Sequence, residues 1–315
     1  MQHTTKHILV TGGAGYIGSA CVAALLKAGH SVTVFDNFST GQSDKVPPAA
    51  TIIDGDITDP EAIDAALGSA SFDTVMHFAA KKAVGESEAH PSQYFATNVV
   101  GSFQLLQAME RHQVPQLIFS STAAVYQPPV SDAPVTETTP TQPMSVYGTT
   151  KLMVEEMIAS YARTNKLAQY TILRYFNVAG DAGLQYQEHN AQNVFPILSE
   201  SIKTGAPFHI FGTDYDTRDG TCVRDYIHLI DLVDAHVRAL SSTKNATYNL
   251  GTGTGYTVQE LVDMFEKASE KEITTIASPR RPGDAAVVTA SAAQAKADLD
   301  WQPQHTLQEM VQSAL

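Results

Sequence analysis

Three side chains raise the first chemical question: Thr122, Tyr147 and Lys151. Tyr147 and Lys151 stand four residues apart in the stretch SVYGTTK. If that stretch is helical, the spacing places a phenol and an ammonium on one face, pointing into the same space. Such a pair can move a proton. A free phenol titrates near pH ~10, so half-ionisation near neutrality requires about 3 units, or about 4 kcal/mol of preferential stabilisation of the phenolate. A fixed ammonium together with a second nearby positive group supplies shifts of that order. Thr122 closes the run Phe119-Ser120-Ser121-Thr122, and its hydroxyl can hold the oxygen from which Tyr147 takes a proton. Taken alone, the Tyr/Lys spacing is also what an ordinary surface pair displays, so its neighbours decide.

One set of neighbours is a run of glycines. An apolar segment at 7–11 leads directly into Gly12-Gly13-Ala14-Gly15-Tyr16-Ile17-Gly18. Glycines at 12, 15 and 18 allow a tight turn, close approach of the backbone to a pyrophosphate, and close packing of a helix on a sheet. The next apolar run ends in Phe35-Asp36-Asn37, with Asp36 18 residues past Gly18. There a carboxylate accepts from adenosine ribose hydroxyls and repels a 2′-phosphate, which predicts NAD rather than NADP. Gly12, Gly15, Tyr16, Ile17, Gly18, Asp36 and Asn37 are the expected contacts. Asp56 and Ile57 end the third run with a polar group and an apolar wall for the adenine, and Phe78, Ala79 and Ala80 end the fourth, where small residues admit a nucleotide. His77 reads as a strand-end histidine. A Rossmann lobe that binds nothing is the competing reading.

These residues need elements to position them. Apolar β-type runs at 7–11, 31–35, 51–53, 74–78, 116–119 and 170–173 alternate with helical patterns at 14–27, 60–67, 91–112 and 147–164. Strands separated by helix-length segments predict parallel βαβ units, hence an α/β fold with a doubly wound parallel sheet. In that fold the end of the fifth strand and the start of the Tyr147 helix lie side by side at the carboxyl edge. The span 127–143 carries five prolines and reads as an ordered loop at the same edge, where open α/β sheets bind ligands. Past Phe176 the alternation weakens, predicting a smaller mixed lobe with helices near 193–203, 230–240, 258–269 and 307–315. The expected domains are therefore 1–176 and 177–315, with segments of the second free to return to the first.

Composition narrows the partners. A chain of 315 residues can build two lobes. Its 33 acidic against 20 basic residues leave a formal charge of −13, which argues against nucleic-acid or membrane-surface binding. Any anionic ligand must be held by local cations. Cys21 and Cys222 alone build neither a disulfide scaffold nor a cysteine zinc site. No run is long enough for a signal-peptide core or a membrane span, so a soluble cytoplasmic protein is expected. Asp214-x-Asp216-x-Arg218-Asp219-Gly220 is not a calcium loop, because Arg218 and Asp219 occupy the positions of an oxygen ligand and a glycine. No metal is expected.

The motifs TGGAGYIG, SST and YGTTK resemble the extended short-chain dehydrogenase/reductase family. HFAAKKAVGES, RYFN at 174–177, GTCVRDYIH at 220–228 and RRPGDA at 280–285 extend the resemblance to its sugar-nucleotide 4-epimerases. The resemblance implies reversible inversion at C4 of a UDP-hexose through a 4-keto sugar, with tightly bound NAD. It makes Tyr147 the base, Lys151 its electrostatic partner and a nicotinamide-ribose ligand, and Thr122 the residue on the reacting oxygen. It places Lys82 and Phe176 at the cofactor. It places Asn177 and Asn193 on the UDP-sugar, Arg224 and Arg281 on the diphosphate, Asp284 on the uridine ribose, and His209 and Phe211 near the uracil. A homodimer through the 91–112 and Tyr147 helices is also implied.

The chain departs from the family pattern in a few places. Gln127 follows Val125-Tyr126 where a glycine is usual, and Thr97-Asn98 stands where two asparagines are common. Val288 occupies a position where some members carry a tyrosine that narrows the sugar pocket, so N-acetylated hexoses are expected to fit. A 4,6-dehydratase is disfavoured because Ala123 and Ala124, not acids, follow Thr122. Epimerases for UDP-pentoses or UDP-uronates, an NAD-dependent dehydrogenase, and more remotely a non-catalytic NAD sensor are the remaining alternatives.

Overall fold

The computed structural model describes residues 5–129, 131–186, 193–281 and 283–315; Val130 of the proline-rich loop and Pro282 of the 280–285 motif lie outside the described residues. The chain divides into two units, Met1–Tyr126 with Thr141–Arg174 and Val233–Tyr248, and Gln127–Pro140 with Tyr175–Leu232 and Asn249–Leu315. The division thus falls two residues before the sequence boundary of 176, the returning segment is 233–248, and most of the proline-rich loop goes with the second unit.

The first unit is built on β1 (His7–Thr11), β2 (Ser31–Asp36), β3 (Thr51–Asp54), β4 (Thr74–His77), β5 (Gln116–Thr122), β6 (Gln169–Tyr175) and β10 (Ala246–Leu250). They form one sheet in the order β10-β6-β5-β4-β1-β2-β3. The pairs β3–β2, β2–β1, β1–β4 and β4–β5 are parallel. Helices cover such a sheet on both faces, so its strands read as near-continuous apolar runs; Ile8, Leu9 and Val10 are all fully buried. The strand order reverses between β1 and β4, which makes their carboxyl ends the switch point where ligands bind.

α1 (Tyr16–Lys27), α2 (Pro60–Gly68), α3 (Val84–Ala89), α4 (Pro91–Tyr94), α5 (Gly101–Arg111) and α6 (Val146–Arg163) complete this unit. α2 starts where the sequence signals it, with Asp59 accepting from Glu61 N and Ala62 N and proline in the first turn. The single helix expected at 91–112 is instead α4, a π-helical turn at Phe95–Val100, and α5. Such turns concentrate at functional sites, and this one carries Asn98. α3 was not expected, because its six residues include a glycine and show no periodicity.

In the second unit β9 (Val223–His228) pairs with β7 (Asn177–Ala179), β11 (Gly255–Thr257) and β13 (Val287–Val288), while β8 (Phe208–Phe211) pairs with β12 (Thr275–Ser278). α7 (Val194–Thr204), α9 (Val258–Ser269) and α11 (Leu307–Ala314) bury Phe195, Phe265 and Met310 in one core with Tyr226. α8 (Leu229–Ala239) and α10 (Ala293–Leu299) complete the chain. Thr257/Glu260 and Thr306/Glu309 form capping boxes at the starts of α9 and α11. The proline-rich loop is ordered against this unit: Val135 N donates to Thr289 O at 2.8 Å and Ser291 N to Val135 O at 2.8 Å. Among the described residues no helix is long and apolar enough to cross a membrane.

Candidate active site

The glycine turn sits at the switch point. Thr11 O accepts from Phe78 N at 2.9 Å and Ala79 N at 3.1 Å, tying the turn to the end of β4. Gly12 has φ of +72°, and a Cβ there would lie 2.5 Å from Ala79 N; at Gly18 it would lie 2.1 Å from Gly12 O. No side chain fits either place. α1 begins after Gly15 with no side-chain cap and no acid in its first turn. The positive end of this helix suits an anion. These residues fit a dinucleotide.

Asp36 is buried, with Oδ2 accepting from Ala14 N at 2.9 Å and Oδ1 from Phe38 N at 2.9 Å. It ties β2 to the glycine turn, and the lone pairs left on a carboxylate suit ribose hydroxyls. Asn37 Nδ2 donates to Asp56 Oδ2 at 2.8 Å. The Thr58 hydroxyl, 2.6 Å from Asp56 Oδ1, is the main cause that holds this carboxyl below its usual range. Ile57 is buried beside Asp56, Phe78 lies 4.9 Å from the His236 ring, and Lys82 is exposed in the loop after β4. His77 is structural. Burial pushes it down to about 3, and its ring nitrogens meet Thr11 Oγ1 at 2.7 Å and Ser102 Oγ at 2.8 Å.

α6 delivers every fourth residue to the end of β5. The Thr122 hydroxyl lies near enough to the Tyr147 phenol to favour its ionised form. Lys151 Nζ donates to Ser120 O at 2.8 Å and lies 4.8 Å from the Phe119 ring centre. Glu155 Oε1 accepts from Ser121 Oγ at 2.5 Å. The helix start is set by three acceptors: Glu88 Oε1 for Val146 N at 2.8 Å, Ser87 Oγ for Tyr147 N at 3.1 Å, and Ser145 Oγ for Gly148 N at 3.1 Å. These groups take donors that a helix terminus leaves unpaired. Gly148 lets the helix press on the loop after Thr122, since a Cβ there would be 2.3 Å from Ala124 O. Asn98 Nδ2 donates to Lys81 O at 3.0 Å and to Thr150 Oγ1 at 3.0 Å, joining the Lys81 loop to α6.

Burial pushes Tyr147 up to about 12, opposed by the nearby Thr122 hydroxyl. Burial pushes Lys151 down to about 7, opposed by the Glu155 carboxylate. The sequence expectation that the ammonium makes the phenol more acidic is therefore not met by the protein alone. Desolvation penalises both charged forms and outweighs Thr122 on the one and Glu155 on the other.

The residues expected on the sugar nucleotide, other than Thr122 and Tyr147, fall in the second unit, as does Phe176, which is buried with its N–H on Leu250 O at 3.2 Å. Asn177 Nδ2 donates to Asp225 O at 3.0 Å. Asn193 caps α7 at Val194 N, and its Nδ2 donates to Val178 O at 2.9 Å. Both amides spend donors on the backbone. His209 and Phe211 project from one side of β8 with ring centres 6.3 Å apart, and the Arg281 guanidinium lies 4.1 Å from the Phe211 ring centre. Arg224 is ion-paired with Asp284, so a diphosphate would have to share or displace that carboxylate. Val288 is the parallel partner of Arg224 across β13 and β9.

The family model described as NAD dependent epimerase/dehydratase matches residues 8–251. The chain belongs to that family. A UDP-glucose 4-epimerase of Corynebacterium glutamicum is 45% identical over 313 residues, covering 98% of this chain and 94% of the relative. A crystal structure of a UDP-glucose 4-epimerase from Stenotrophomonas maltophila, with bound NAD and formylated UDP-arabinopyranose, aligns with a TM-score of 0.93 at 38% identity over 98% of this chain and 96% of that one. Another from Bifidobacterium longum, with NAD+ and UDP, aligns at 0.91 and 36% identity over 98% and 96%.

Membership in the epimerase/dehydratase family leaves some groups that sequence reasoning passed over. Glu155, Ser121, Ser87 and Glu88 were not singled out. Glu155 had a signal: it continues the Tyr147 and Lys151 spacing to i+8. Ser87 and Glu88 had none, because their targets are backbone N–H groups nearly 60 residues away.

Proposed function

We propose that this protein catalyses reversible C4 epimerisation of a UDP-hexose, interconverting UDP-galactose and UDP-glucose with tightly held NAD. The observation that carries the reading is the Tyr147 phenol, beside the Thr122 hydroxyl and one helical turn before buried Lys151. Tyr147 takes the proton of the sugar 4-hydroxyl, Thr122 holds that oxygen as it becomes a carbonyl, and Lys151 supplies positive charge to the phenolate. NAD, when bound, supplies a reversible two-electron acceptor for C4. Residues 12, 15–18, 36–37, 56–57, 78–80 and 82 would hold it, with Tyr147, Lys151 and Phe176. The keto sugar turns about its diphosphate linkage, and Tyr147 returns the proton to the 4-oxygen as C4 is reduced on its other face.

In the second unit Arg281 over Phe211 suits a base next to a phosphate, with His209 beside it. Arg224 and Asp284 would serve the diphosphate and ribose, and Asn177 and Asn193 the rest of the UDP-sugar. Val288, small and beside Arg224, favours acceptance of N-acetylated hexoses as well; an enzyme that converts UDP-galactose but leaves UDP-N-acetylglucosamine untouched would contradict this. Exposed Phe95, Val100 and Phe103, together with Met153 on the packed neighbour α6, fit a homodimer surface. A cytoplasmic setting suits the two buried free thiols, Cys21 and Cys222.

The decisive experiment adds UDP-galactose to purified protein without added NAD and assays UDP-glucose. Absence of product from protein that contains NAD would refute the reading, whereas stoichiometric NADH accumulation with added NAD would mark a dehydrogenase.

A further inference from the structure

One buried charge near the site has no part in the mechanism above. Glu155 stands one turn beyond Lys151 on α6 and is 5% exposed. Its Oε1 accepts from Ser121 Oγ at 2.5 Å and from Arg174 Nε at 2.9 Å, and its Oε2 accepts from Arg174 Nη2. Arg174 also donates from Nη1 to Tyr126 Oη at 2.9 Å. The carboxylate therefore joins α6 to the residues on either side of Thr122 and its short loop: Ser121 directly, Tyr126 through Arg174.

We propose that Glu155 is a positioning residue of the site, its clamped carboxylate holding Lys151 as a cation and Thr122 in register with Tyr147. This rests on the epimerase reading for its consequence in turnover. The groups facing Lys151 are few. Tyr147 precedes it on α6, and burial favours its neutral, protonated form until it is ionised to act as the base. His77 approaches from β4 and is neutral: the Ser102 hydroxyl donates to Asn98 O and so accepts from Nε2, leaving Nδ1 to accept from Thr11. Glu155 is the anion among them, and it is the group that opposes the effect of burial on Lys151. Arg174 forms a buried ion pair with Glu155.

The test is the titration of Lys151 in NAD-loaded protein carrying [ε-13C]lysine, with the resonance assigned by a Lys151→Met control. In Glu155→Gln the midpoint should fall by about one unit or more, and the alkaline loss of kcat should move to lower pH by the same amount with KM unchanged. Glu155→Asp keeps the charge and should keep the midpoint, even with a lowered Tm. If Glu155→Gln does not fold because Arg174 is left unpaired, Glu155→Gln with Arg174→Met removes the pair together and must move Lys151 the same way. A midpoint that stays in place in these variants, or a kcat lowered equally at every pH, overturns the proposal. Failure of the wild type to epimerise would refute the epimerase reading instead, and the lysine titration would still decide the role of Glu155.

Discussion

The glycine turn offers a graded prediction. Replacing Gly15, Gly18 or Gly12 by alanine adds the same methyl group to three places that differ in space. At Gly15 the new Cβ would meet Gly12 O at 3.3 Å, a tight contact that a small shift relieves. At Gly18 it would lie 2.1 Å from Gly12 O and 2.9 Å from Gly13 Cα, backbone atoms of the turn itself. Overpacking of this kind costs about 1–3 kcal/mol, and the gain of about 1 kcal/mol from alanine in a helix offsets part of it. At Gly12 the methyl would meet Ala79 N at 2.5 Å from a backbone at φ +72°, which adds about 1–2 kcal/mol for a left-handed alanine. Relief in both cases moves the turn off the position that suits a pyrophosphate. NAD should therefore weaken roughly 5- to 150-fold in Gly18→Ala, at least as much in Gly12→Ala, and by only a few-fold in Gly15→Ala, since each 1.4 kcal/mol is tenfold. NAD released on denaturing the purified variants, and thermal shifts with and without added NAD, measure this. Full NAD content in Gly18→Ala with an unchanged melting temperature would refute the reasoning.

Tyr147→Phe should lower kcat about 10²- to 10⁴-fold while keeping its NAD; a near-native rate would remove the phenol from the mechanism. His77, whose folded value near 3 lies below its ordinary 6.5, adds stability that is complete above pH 6.5 and is lost as pH falls toward 3, because the unfolded chain then binds the extra proton. Urea titrations from pH 6.5 to 4.5 should lose about 1.4 kcal/mol per pH unit from this group, and a pH slope unchanged in His77→Gln would contradict it. Phe103→Glu on exposed α5 should yield monomers by light scattering; a dimer that persists at micromolar concentration would place the interface elsewhere.

Much of the first unit was legible because its strands are buried on both faces. Ile8 to Val10 and Val75 to Met76 must be apolar wherever the loops run, and the glycine turn and Asp36 follow β1 and β2 directly. The second unit was not, because its strands are short and take their meaning from distant partners. Val288 belongs to a strand only because Arg224 lies beside it. The π turn at Phe95–Val100 leaves the apolar pattern of one long helix intact, so periodicity passed over it.

The sequence by itself determined the succession of β1 to β6 and the glycine turn, and it pointed to Thr122, Tyr147 and Lys151, since each rests on local spacing or on a motif that carries its own context. Only the tertiary structure decided how those groups are charged. It buries Lys151 and half-buries Tyr147, and the desolvation pushes each toward its neutral form. It also brings Ser121 and Arg174 onto Glu155 from other strands. Ionisation depends on what surrounds a group in space, and for these residues the surroundings come from chain segments far apart in sequence.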